Sequence, residues 1–115
     1  MIPAQNWNEI SEEIVNEHIS RAMRHKEKHA FKKSVIELRI IKSYLVEEQA
    51  KHLNNEESNK LLVPLLFKVM TEIGIVKEKM GDYEDGEKIM RECLDLSDRY
   101  PGCISEKEKD RAMET

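Results

Sequence analysis

The chain is predicted to be all-α. Apolar residues recur at three- and four-residue spacings in four successive segments, and no segment alternates with the two-residue period of a half-buried strand. Breakers are few, with four Gly and three Pro among 115 residues, too few for a turn-rich β class. A chain of this length is expected to form a single domain, residues 1–115, around a modest core. Apolar residues are spread throughout, which argues against wholesale disorder despite 37% charged residues.

The first helix is expected over about 8–27. Ile10, Ile14, His18 and Ala22 recur every fourth residue, with Val15 and Ile19 widening the stripe. Glu9, Glu12 and Glu13 suit the positive end of its dipole, and Arg24, Lys26 and Lys28 suit the other end. The second helix is expected over about 30–52, carried by Phe31, Val35, Leu38, Ile41 and Leu45. The polar run from Leu53 to Ser58 reads as a turn. Leu65, Val69, Ile73, Val76 and Met80 mark a third helix over about 58–80, which either begins near Pro64 or bends there. Gly81 suits the left-handed cap that ends it. Tyr83, Gly86, Met90, Cys93 and Leu96 place a fourth helix over about 83–99, stopped by Tyr100-Pro101-Gly102. A short, polar fifth helix is expected over 105–113, with Ser105 able to cap it.

Residues 67–100 resemble a tetratricopeptide repeat, a 34-residue helix–turn–helix unit. The resemblance rests on Met70, Ile73 and Gly74, the turn Gly81-Asp82-Tyr83, the small residue Gly86, and then Met90, Cys93 and Leu96. Gly74 and Gly86 would let two helix backbones approach, and Tyr83 would fill the space beside the turn. Lys77 stands where a large apolar residue is usual. A more degenerate copy spans about 15–48. There Phe31, Ser34, Leu38 and Ile41 take the places of Tyr83, Gly86, Met90 and Cys93, and Ala22 takes that of Gly74. The two copies are offset by 52 residues. The resemblance implies antiparallel helical hairpins packed in tetratricopeptide style.

The family likeness also implies a function: a non-catalytic adaptor or scaffold that holds a peptide or helix on the face of its A helices, the first and third. By repeat position the inward residues are Lys68, Thr71, Ile75 and Glu78 on the third helix, and Ile19, Met23 and Lys26 on the first. Two other readings stay open. One is a structural homo-oligomer subunit. The other is a regulatory binder of phosphate or nucleic acid through the basic segment 21–33. Against the latter, the formal net charge is −4, and phosphate neutralisation needs surplus Lys and Arg. Self-association or membership of a longer array is expected, since stacked repeats need about three units to bury a continuous core.

Catalytic and metal chemistry find little in the sequence. His18, His25 and His29 fall on roughly one helical side, but no HExxH motif accompanies them, and Lys26 and Lys28 oppose a cation. His18 is expected at a helix interface as a hydrogen-bonded residue, the other two facing solvent. No acid pairs with a nucleophile in a recognisable spacing, so no enzyme activity and no cofactor are expected. Nine residues separate Cys93 from Cys103, which is no zinc or redox spacing. Reduced thiols, the lack of a basic and apolar leader, and the lack of an 18-residue apolar run lead to a cytoplasmic expectation with no membrane partner.

Overall fold

The computed structural model describes residues 9–52, 55–100, 102–104, 107 and 110. Four helices follow one another: α1 (Glu9–Glu27), α2 (Phe31–Lys51), α3 (Glu56–Lys79) and α4 (Tyr83–Arg99). Among the described residues there is no strand. The expected fifth helix over 105–113 lies outside the described residues, apart from Lys107 and Asp110, which are helical.

α3 is the central helix. α2 packs along one side of it and α4 along another, while α1 lies on α2 and touches α3 more lightly. Its sequence is suited to this place, because most of its circumference is apolar. Leu62, Val63, Leu65, Leu66, Phe67, Val69, Met70, Ile73 and Val76 are all buried. A helix that is hydrophobic nearly all round belongs inside a bundle. α4 is the opposite case. It buries only the line Gly86, Met90, Cys93, Leu96 and Ser97, at spacings of one helical turn. Past its end, Ile104 also joins the core.

α3 begins earlier than the sequence suggests. Asn55 is its N-cap, accepting the Ser58 amide at 3.0 Å, and Glu56 and Glu57 occupy the first turn. Pro64 therefore lies inside the helix rather than at its start. It forgoes the backbone bond to the carbonyl four residues back, a loss that the burial of the surrounding residues offsets. In α1 the buried line is Val15, Ile19 and Ala22, with Ile14 on the edge and His18 half-exposed. The stripe is rotated by one residue because His18 turns to α2, where its Nδ1 lies 2.7 Å from Glu37.

The two hairpins close in the same way. After α3, Gly81 is left-handed (φ 83°), its amide donates to the Glu78 carbonyl, and the Asp82 amide donates to Lys77. After α1, His29 is left-handed (φ 59°), its amide donates to Lys26, and the Ala30 amide donates to His25. Both are Schellman caps. His29 and Gly81 are 52 residues apart, the same offset as the two sequence copies. The close approaches match as well. A Cβ on Gly86 would stand 3.3 Å from the Gly74 carbonyl oxygen, and at the equivalent place Ser34 Oγ donates to the Ala22 carbonyl at 2.8 Å. Tyr83 departs from expectation. It is 69% exposed instead of filling the turn, because it is the first residue of α4 and lies past the end of α3.

Candidate interaction surfaces

The seven residues expected to line the A-helix face do not form one open surface. Ile19 and Thr71 are core residues. The Thr71 hydroxyl donates to the Phe67 carbonyl at 2.8 Å and lies 3.8 Å from Cys93 Sγ, so it is committed inside the fold. Lys26 reaches across from α1 and places Nζ 3.3 Å from Glu72 of α3, whose side chain is 1% exposed. That bridge covers the seam between the A helices. Met23 and Ile75 are partly buried against the core, Glu78 is half-buried, and Lys68 alone of the seven is exposed. Sequence register does not single out Glu72, which turns a lysine expected to meet a partner into an internal contact.

The histidines do not converge. His18, with Arg21 3.6 Å from the same Glu37 oxygen, ties α1 to α2. His29 stands at the turn with its ring edge-on to Phe31, the centroids 5.4 Å apart. Among the described residues no group of three or more His, Cys, Asp or Glu is placed to hold a metal ion.

On the opposite side, α2 and α4 flank a groove of about 470 Å³ floored by Ile73 and Ile89 and edged by Arg39, Lys42, Val46 and Glu47. Its cations are already matched. Arg39 lies 3.8 Å from Asp85, and Lys42 lies 3.3 Å from Glu92. These pairs link α2 to α4 and leave little unbalanced charge for a ligand.

A second concavity of about 600 Å³ opens at the turn end of the molecule. It is lined by His29, Ala30, Phe31, Lys32 and Lys33 from the first hairpin and by Lys79 and Met80 from the end of α3. No carboxylate lines it, and Lys32, Lys33 and Lys79 make no ion pair with any described residue. Next to it, on the outward face of α2, are Ile36 (60% exposed) and Ile40 (57% exposed). These two were legible as a remainder. They lie off the Phe31–Val35–Leu38–Ile41–Leu45 stripe, four residues apart, and the core has no place for them. The approach of Lys79 and Met80 to the basic turn has no sequence signature.

Comparison with family models, with curated proteins and with solved structures found no match. No helix among the described residues is long and apolar enough to cross a membrane.

The buried thiol is chemically muted. Burial pushes Cys93 up to about 11, a rise that the Thr71 hydrogen bond partly offsets and that Glu92 adds to. Burial, and then the Glu48 carboxylate, push the Tyr44 hydroxyl up to about 12. Alkylation of the native protein at pH 8 should therefore modify Cys103, which is only partly buried, and spare Cys93 until denaturant is added. Peptide mapping that finds both cysteines equally modified in the native state would contradict this packing. The sign for stability follows. Both groups hold their protons longer when folded, so their contribution is complete below their ordinary values of 9.0 and 10.0. It is lost as pH rises through about 11 and 12.

Proposed function

We propose that this chain is a non-catalytic protein-interaction module of the tetratricopeptide kind, acting in the cytoplasm as an adaptor or scaffold. The observation that carries this reading is the pair Ile36 and Ile40. Two large apolar side chains stand more than half exposed one turn apart, on a helix whose other stripe fills the core. Single exposed apolar residues need no explanation, but adjacent ones beside a concavity mark contact surfaces. The equivalence of the two hairpins supports the repeat reading. The face that takes the partner is then the outward side of α2 rather than the A-helix seam, since Lys26 and Glu72 close the seam.

The test is a pull-down with the full chain, read by mass spectrometry, repeated with Ile36→Ser/Ile40→Ser. Each truncation should cost a captured partner at least about 1 kcal/mol of affinity if the residue is central. Stability should change by no more than about 0.5 kcal/mol per site, because neither side chain is in the core. Met23→Ala/Ile75→Ala, on the seam, should leave affinity nearly unchanged. Partners that ignore the isoleucines but respond to Met23 and Ile75 would restore the A-helix face and sink the α2 reading. Sedimentation separates the homo-oligomer alternative: a dimer that Ile36→Ser/Ile40→Ser dissociates would make the chain its own partner.

A further inference from the structure

Resting on that reading, we infer that the lysine-lined pocket and the Ile36–Ile40 pair form one docking site. Its occupant is an acidic amphipathic peptide segment of a partner protein. Lys32, Ile36 and Ile40 follow one another at four-residue steps, and Lys33 lies three residues before Ile36. Residues at these spacings share a side of a helix. The pocket at the amino end of α2 and the apolar pair further along are therefore consecutive parts of one surface. A ligand lying along α2 would meet cations first and hydrocarbon next.

Charge identifies the ligand. The chain as a whole carries −4, yet Lys32, Lys33 and Lys79 converge where no carboxylate lines the pocket. Arg39, Lys42 and Lys77 each lie within 4 Å of an acid, and exposed cations with no acid close by among the described residues, such as Lys60, Lys68 and Lys88, do not line this pocket. The three lysines thus gather positive charge around one pocket with no acid in its lining, and this favours carboxylates by complementarity. Phosphate chains suit the site less well. Phe31 and Met80 inside the pocket and the isoleucines beside it offer a polyanion nothing, and three lysines are a small neutralising set. A peptide with glutamate or aspartate at one end and apolar side chains a turn or so away satisfies both halves. Apolar anchors would supply most of the affinity and the lysines the orientation.

The probe is a displayed library of random dodecamer peptides selected on the full chain, with hits measured as labelled synthetic peptides by fluorescence polarisation. Enriched peptides should carry at least two carboxylates beside apolar residues, and their affinity should fall with added salt. Lys32→Glu/Lys33→Glu/Lys79→Glu should weaken them at least tenfold, and so should Ile36→Ser/Ile40→Ser. Thermal unfolding checks that each variant folds, and Lys→Gln versions replace any charge-reversed protein that does not. Hits without acidic residues that still depend on Ile36 would overturn this inference and leave the interaction module standing. A labelled single-stranded oligonucleotide that binds through the lysines and ignores the isoleucines would overturn it in favour of a polyanion site. Occupation of the face by a second copy, seen in sedimentation, would overturn it too. An empty selection would overturn this inference, while the pull-down decides separately whether the reading it rests on stands.

Discussion

Phe67→Ala should destabilise the chain by about 3–5 kcal/mol, the range for emptying a buried aromatic site. Phe67 is the largest of the fully buried side chains among the described residues and sits midway along α3. Its own carbonyl accepts the Thr71 hydroxyl, and Cys93 of α4 lies 4.0 Å from that carbonyl. Phe67 thus lies in the segment where α3 meets α4, its side chain is buried, and truncation leaves a void that α3, packed on both α2 and α4, cannot collapse to fill. A small domain has only about 5–15 kcal/mol in total, so the variant should lose a fifth or more of its stability. Phe67→Leu, which keeps most of the volume, should cost less than about 1.5 kcal/mol. Urea unfolding followed by far-UV circular dichroism measures both. A loss below about 1 kcal/mol for Phe67→Ala would mean that α3 is not the central helix.

Gly74→Leu and Gly86→Leu should each cost up to about 3 kcal/mol by overpacking the crossing of α3 and α4. The two sites differ in a way that alanine exposes. A Cβ on Gly74 would stand 2.5 Å from Met90 Cε, the far end of a flexible side chain that can move aside. Replacing a mid-helix glycine also gains about 1 kcal/mol of helix propensity, so Gly74→Ala should be close to neutral. A Cβ on Gly86 would stand 3.3 Å from the Gly74 carbonyl oxygen, which belongs to the backbone of α3 and cannot swing away. Gly86→Ala should therefore be the more damaging of the two, and Lys88→Ala, on the exposed side of α4, should change stability by about 0.5 kcal/mol or less. Equal unfolding midpoints for Gly74→Leu, Gly86→Leu and Lys88→Ala would show that the helices do not cross there.

The helices themselves were legible from local information. Periodicity placed all four within two residues of their observed ends, and Gly81 marked the cap after α3 correctly. The α1–α2 turn is placed correctly by the break in periodicity, but its left-handed cap is His29 rather than a glycine, so the cap residue itself has no sequence mark as plain as Gly81. The start of α3 was read as a polar turn because Asn55 and two glutamates suit a loop as well as a helix amino end.

From its sequence alone this chain determined an all-α fold, the number and length of its main helices, and the glycine pair at which the second hairpin closes. Those properties depend on spacing along one strand of backbone, and hydrophobic period and capping chemistry report that spacing directly. Only the tertiary structure decided which surface is free. Whether Lys26 meets solvent or Glu72 depends on the separation of α1 and α3, and whether Ile36 and Ile40 are covered depends on which side of α2 its neighbours take. The basic pocket likewise needs Lys79 brought to Lys32 and Lys33 across a separation of 46 residues in the chain. Such contacts come from packing several helices at once, and no single segment encodes them.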